Sequence, residues 1–415
     1  RRLMEEAAYL ARRSLSYRHG FDAATGFFQS RRPDGTFRTP ATEYRPERWG
    51  GDYTEANGWT FAFPAPHDGA GLAELYGGPD GLRAKLDEFL ATPETTLEPG
   101  TYPGHMHEIT EARDARLGQC ALSNQPAHHI PFLYAFTGSP QRTSAVVHDA
   151  LDRLFVGASY GQGYPGDEDN GEMSAWYLFA ASGLYPLQVG SSRLTLHAPY
   201  FAELTWHLPA GDLVVRRSSP PPSTGTSFPT AIERVLLNGH EHVGTWIEHA
   251  ALTDGATLEV VTTDGPTTWG TTPAEAPPSI AESALGPWRD LATAEGSGSA
   301  EAATLVDDDA HASVDLSAQA ALTWAARSES PLTAYTLTCG EAVERAPSAW
   351  LLEASFDGAE TWHLLDERSG ETFDWPAQIR PFAVASPPEG TQPSATHYRL
   401  TFPGGGQLSQ IELLA

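Results

Sequence analysis

Near Gln188 the texture of this chain changes, and a single-layer fold cannot accommodate both halves. Up to Leu187 the apolar residues recur at helical spacing in segments joined by Gly/Pro-rich loops. These segments are Arg2 to Ser16, Asn57 to Phe63, Gly81 to Leu90, Pro126 to Phe136, Gln141 to Phe155 and Ser174 to Ser182. Pro79, Pro126 and Pro140 stand at expected helix starts, and Gly138 and Gly183 lie just past helix ends. Beyond Gln188 come short alternating runs, Leu194 to Leu196, Leu213 to Val215, Arg234 to Leu237 and Thr257 to Thr262. Turn pairs such as Asn238-Gly239 and Asp254-Gly255 separate them, which predicts strands. Ser218 to Thr224 reads as a loop, and Thr272 to Ala284, with Pro273, Pro277 and Pro278, as a linker. Runs at Ala321 to Ala325, Tyr335 to Thr338, Trp350 to Ala354, Thr361 to Leu365, Tyr398 to Phe402 and Ser409 to Leu414 predict a second β-rich unit, spaced as in a sandwich. The expected organisation is α+β and multidomain: 1–187 helical, 188–271 β-rich, 272–284 linker, 285–415 sandwich.

Charge narrows the partners. The 26 basic residues against 53 acidic ones leave a net charge of -27, and Lys85 is the single lysine. No arginine cluster supplies the positive footprint that a phosphate backbone requires, so nucleic acid is excluded as a partner. No apolar run reaches the eighteen residues of a membrane span. Cys120 and Cys339 are too few and too far apart for a disulfide framework or a thiolate metal site. An acidic chain with 10% aromatic residues suits neutral ligands such as sugars, or carboxylates gathered around a hard cation.

Three loop blocks carry candidate chemistry. In Gly51-Asp52-Tyr53-Thr54-Glu55-Ala56-Asn57-Gly58-Trp59, with Pro66-His67-Asp68 after it, polar groups interleave with aromatic rings as a pyranose site needs. Taken alone, Glu55 reads as a helix cap or surface carboxylate. The second block runs from His105 to Glu111 and on through Asn124-Gln125-Pro126-Ala127-His128-His129. Its His107-Glu108-Ile109-Thr110-Glu111 lacks the second histidine of a zinc protease motif, and consecutive histidines on a helix point about 100° apart and cannot chelate as a pair. The third block, Asp167-Glu168-Asp169-Asn170-Gly171-Glu172, has neither the glycine nor the glutamate positions of an EF-hand. Helix-dipole pairing explains part of its charge. Three adjacent carboxylates repel one another, which points to a cation or a catalytic pair.

In order and separation, Asp52-Tyr53-Thr54-Glu55-x-Asn57-x-Trp59 with Pro66-His67-Asp68, then Asn124-Gln125-Pro126-x-His128-His129-Ile130-Pro131, then Pro165-Gly166-Asp167-Glu168-Asp169-x-Gly171-x-Met173-Ser174-Ala175-Trp176-Tyr177 resemble glycoside hydrolase family 92, the calcium-dependent exo-α-mannosidases. The resemblance runs from about Arg1 to Gly270. It implies part of an (α/α)6 barrel followed by β-strands of the same catalytic module, and inverting hydrolysis of terminal α-mannosides, most of all α-1,2. By position, Glu55 is similar to the general acid and Asp167 and Asp169 to the general-base pair. His107 and Glu108 resemble the pair that meets the leaving sugar. Trp59, Asn124, Gln125, His128 and His129 are expected to line the substrate, and Asn124, Gln125 and Asp169 to contribute to a Ca2+ site. The resemblance further implies mannose-containing glycans (N-glycan type or mannan) as partners, a secreted or cell-surface location, and an additional N-terminal β-sandwich domain packing on the barrel. Residues 285–415 resemble a discoidin-like (galactose-binding-like) sandwich, with Asp307-Asp308-Asp309 as a cation loop or a solvated turn. The alternatives are a non-catalytic carbohydrate-binding fragment and an α-mannosidase of another linkage. Carboxylates on both sides of a sugar favour the enzyme over the binder.

Overall fold

A computed structural model describes residues 2–32, 34–97, 99–157, 163–219, 229–280, 286–384 and 394–415. Contacts divide the chain into two units. One comprises residues 1–16 together with 284–415, the other residues 17–283.

The larger unit is built on helices. After helix α1 (Arg2–Arg13), which belongs to the other unit, come α2 (Gly69–Leu75), α3 (Pro79–Ala91), α4 (His107–Ala115), α5 (Gln141–Leu154) and α6 (Glu172–Ser182). Pro79 starts α3, where a missing amide hydrogen costs nothing, and Gly183 ends α6 at φ 81, a conformation that suits glycine. The expected helix over 126–136 is instead two 3-10 stretches, Gln125–Ala127 and Ile130–Phe136. Pro126 and Pro131 each remove a donor there, which prevents one continuous α-helix. The stretch around Asn57 to Phe63 forms only the short turn Thr60–Ala62, and α2 and α4 were not anticipated. Phe63, Phe89, Phe132, Tyr134 and Trp176 fill the core between these helices.

The β-rich stretch forms two sheets. Five strands lie in the order Glu203–Leu208, Gly211–Ser218, Ala256–Thr263, Ala231–Leu237, His240–His242. Ala256–Thr263 alternates strictly between buried and half-buried, so Ala256, Leu258, Val260 and Thr262 face one core. The Asn238-Gly239 turn holds φ 51 and φ 80, the left-handed pair a two-residue hairpin needs. Leu184–Tyr185, Arg193–Leu196 and Trp246–Glu248 make a smaller sheet. Most of the expected Ser218 to Thr224 loop lies outside the described residues. The first part of the linker is fixed to this unit, since Ser279 donates to Asp68 at 2.6 Å and the Ile280 amide to the His67 carbonyl at 3.1 Å.

In the other unit, two four-stranded sheets pool one core. One is ordered Val314–Leu316, Gly406–Leu414, Ala334–Cys339, Ile379–Ala383, and the other Ala320–Ala325, His397–Phe402, Ala349–Ser355, His363–Ser369. Trp324, Trp350, Tyr335, Tyr398, Phe382 and Phe402 are fully enclosed in it. Helix α1 was expected among the helices of 1–187, but it packs on this unit. Tyr9 is buried beside Ala334 and Leu414 and bonds Glu412 at 3.1 Å, Arg12 lies 3.9 Å over the Trp288 ring, and Glu5 accepts from Arg368 at 3.1 Å. Its pattern of one apolar stripe between charged rows marks a helix, but it does not say which surface the stripe covers.

Candidate active site

The first block folds as a tight loop seated on the 99–102 turn. Gly100 sits at φ 67 so close to the Trp49 carbonyl that a Cβ would lie 1.8 Å from its oxygen, which only glycine permits. The Thr101 hydroxyl accepts from the Gly51 amide at 2.7 Å, and the Tyr102 hydroxyl accepts from the Glu55 amide at 2.5 Å. Glu55 itself is exposed and holds φ 50, a conformation that a non-glycine residue adopts at a cost. The backbone is thus bent to present this carboxylate. Tyr102 does the gripping, and nothing in the sequence signalled it beyond the flanking Gly100 and Gly104.

The second block supplies a bridge. Asn124, which is buried, donates its side-chain amide to the Glu55 carbonyl at 2.8 Å. Its neighbour Gln125 donates to the Asp169 carboxylate. Through two adjacent residues the loops carrying Glu55 and Asp169 are therefore joined.

The third block is sorted by its hydrogen bonds. Glu168 accepts from the Ser174 amide at 3.1 Å and so caps α6, as the helix-dipole argument requires. Glu172 turns inward to His128 at 2.9 Å. Asp167 and Asp169 remain exposed, and Asp169 and Asn170 hold φ 48 and φ 58. Gly166, at φ 71, lets this loop approach the second block, because a Cβ there would fall 2.2 Å from the Ser123 carbonyl oxygen.

At the start of α4, His107 bonds Glu111 at 3.0 Å and lies 3.5 Å from Glu108. The bond to Glu111, with Glu108 and Asp167 nearby, raises its pKa above the ordinary histidine value. Asp167 is thereby placed within electrostatic reach of His107. One oxygen each of Glu108 and Glu111 and the Ser123 hydroxyl are enclosed without a hydrogen-bond partner among the described residues.

Three of the expected substrate-lining residues have partners within the protein. Trp59 is buried, edge-on to Phe27 at 4.9 Å and 4.5 Å from the Lys85 ammonium, so its ring packs in the core instead of offering a face to a sugar. His128 is enclosed, clamped between Glu172 and the Leu122 carbonyl at 2.9 Å, while the Trp176 indole donates to its carbonyl at 3.0 Å. His129 bonds the Phe63 carbonyl at 2.7 Å, and burial of its ring pushes its pKa down to about 4, although part of the residue still meets solvent. Both histidines tie the second block to the core. Asp52, from the first block, is occupied by Arg38 at 2.7 Å and the Ser30 amide at 2.9 Å.

The pattern of the glycosyl hydrolase family 92 catalytic domain matches residues 2–264, and the chain belongs to that family. It is similar to an uncharacterized secreted glycosidase of Arthroderma benhamiae, 27% identical over 228 residues, or 54% of this chain and 26% of the relative. Among solved structures it resembles the family GH92 inverting mannosidase of Bacteroides thetaiotaomicron, with 34% identity and a TM-score of 0.52 over 64% of this chain and 35% of that one. It also shares the fold of a second family GH92 α-mannosidase of that organism, in complex with mannoimidazole. That match has 24% identity and a TM-score of 0.54, covering 64% of this chain and 34% of the other. The chain thus spans about a quarter to a third of the length of these relatives. No described helix is long and apolar enough to cross a membrane.

Proposed function

We propose that this chain carries the catalytic residues of an exo-acting, inverting α-mannosidase that uses calcium and prefers α-1,2 linkages. The observation that carries the proposal is the Asn124-Gln125 bridge, which links the loops of two exposed carboxylates, Glu55 and Asp169, each on left-handed backbone. Such strain persists where the surrounding structure enforces it, and it clusters at functional sites. The 34%-identical relative is an inverting mannosidase, which supports the same reading.

In this reading the Glu55 carboxyl gives its proton to the departing glycosidic oxygen. Asp167 or Asp169 takes a proton from the water that attacks the opposite face of the ring, which leaves the freed sugar with inverted configuration. His107, oriented by its bond to Glu111, meets the leaving sugar. Calcium is tested by donor chemistry. Among the described residues no three His, Cys, Asp or Glu side chains are arranged to hold a metal. The Asp169 carboxylate and the Gln125 amide bonded to it nevertheless offer hard oxygen donors, and they fit an ion whose shell sugar hydroxyls and water complete. When bound, such an ion would orient vicinal hydroxyls and stabilise a distorted ring. The discoidin-like reading of 285–415, the additional N-terminal domain and export of the protein belong to the same proposal.

The test is made on the full-length protein. Hydrolysis of α-1,2-mannobiose should release β-mannose first, seen by proton NMR before mutarotation. Exhaustive chelation should abolish turnover, and calcium should restore it better than zinc. Release of α-mannose, or full activity after chelation, would overturn the mechanism or the metal respectively.

A further inference from the structure

Beside the catalytic loops the unit of residues 17–283 holds an 810 Å³ pocket that the reaction itself does not use. It falls within the roughly 300 to 1,000 Å³ typical of small-ligand sites. One wall is Tyr164 to Gly166, the residues directly before Asp167, and another is Glu111, whose carboxylate holds His107. The far side is formed by Asp114 and Arg116 at the end of α4 and by Arg153 from α5. We infer that this pocket is a distal subsite for a further, neutral sugar residue of the glycan, beyond the leaving sugar. This inference rests on the mannosidase reading above.

Three observations carry it. First, α4 acts as a ruler. His107 begins it and Glu111 lies one turn on along the same face, while Arg116 closes it roughly 13 Å from the start at 1.5 Å per residue. A glycan held at His107 and extended along α4 therefore runs into the pocket. Second, the charges balance. Glu111 and Asp114 line the pocket together with Arg116 and Arg153, a balance that favours a polyhydroxylated neutral ligand over an ion, and Tyr164 lines it as well. Third, the wall is fixed in place. Arg153 pins the carbonyl of Ala115 at 2.8 Å and grips Asp149 at 2.6 Å, tying α4 to α5. Arg116 is exposed on left-handed backbone at φ 51, and its guanidinium has no hydrogen-bond or ion-pair partner among the described residues. A position that favours glycine here carries an arginine with no partner among the described residues.

The experiment compares kcat/KM for α-1,2-mannotriose with that for α-1,2-mannobiose on the full-length protein. The wild type should prefer the trisaccharide, and Arg116→Ala should lower the trisaccharide-to-disaccharide ratio by about tenfold, the scale of one lost charge-assisted bond. Arg116→Gly, which relieves the left-handed backbone, should lower the ratio equally while folding at least as well. Equal kcat/KM for both substrates in an active wild type, or equal losses on both in the variants, would overturn the subsite and leave the mannosidase reading standing. A wild type that cleaves neither substrate would overturn both.

Discussion

The two units treat polar groups in opposite ways. In the unit of 284–415 a buried arginine, Arg368, only 5% exposed, is closed on every side. It bonds Asp366 at 2.6 Å and Glu5 at 3.1 Å, with Glu371 at 3.8 Å, while Arg380 takes Glu371 at 2.8 Å and the Tyr335 hydroxyl also reaches Asp366. In the unit of 17–283 the three loops mix partnered groups with carboxylates left at the surface. Glu55, Asp167 and Asp169 are exposed, and Glu108, Glu111 and Ser123 hold enclosed oxygens without partners among the described residues. A buried polar network closed around Arg368 specifies a packing, whereas carboxylates left at the surface remain free to meet a ligand.

The largest effect should come from breaking the closed network. Arg368→Ala strands Glu5, Asp366 and Glu371 against an apolar core, and loss of one partner from a buried ion group costs about 3–5 kcal/mol. Denaturant unfolding of this unit should shift accordingly, and a shift under about 1 kcal/mol would show that the network is ornamental to stability. Next in size is Glu55→Gln, which leaves unfolding unchanged but should lower turnover of α-mannobiose by on the order of a hundredfold or more, because the amide cannot protonate an alkoxide. An activated aryl mannoside, which needs little protonation, should lose much less. Equal losses on both would assign Glu55 to binding.

A smaller, pH-dependent effect separates the units again. Asp290, in the 284–415 unit, accepts from the Leu413 and Ala292 amides, and burial pushes its carboxyl up to about 7. A carboxyl raised on folding binds its proton more tightly in the native state, so its contribution is complete below about pH 4 and is lost as pH rises to about 7. The midpoint of thermal unfolding should therefore fall between pH 4 and 7, and Asp290→Asn should flatten that slope. An unchanged slope in the variant would remove Asp290 as the cause.

Much of this was legible in the sequence, and the failures share a cause. The three blocks, the strands around the Asn238-Gly239 turn and most helix starts follow from local spacing and turn chemistry. The packing of Trp59 was not legible because residue type does not show which way a ring faces, and Lys85, which covers it, lies on α3 far along the chain. The role of Tyr102 and the docking of α1 are likewise long-range. Within Asp167 to Glu172, composition announced a charged cluster, but only the partners Ser174, His128 and Gln125 separate caps from exposed carboxylates.

The smallest effect compares strain itself. Ala359, in the 284–415 unit, is exposed at φ 72, and Asn170, in the loop of Asp167 and Asp169, sits at φ 58. Glycine meets no steric penalty in this region, while alanine pays roughly 1–2 kcal/mol there and asparagine less. The gain is trimmed by the greater freedom of glycine in the unfolded chain. Ala359→Gly should therefore stabilise its unit by up to about 1 kcal/mol with no change in turnover, since its amide still bonds the Ser355 hydroxyl. Asn170→Gly should alter stability by only a few tenths of a kcal/mol yet lower kcat, because it frees the backbone that sets Asp169 against Gln125. Should both substitutions prove silent in turnover, the left-handed conformation at Asn170 is an ordinary turn and the exposure of Asp169 is set by Gln125 alone.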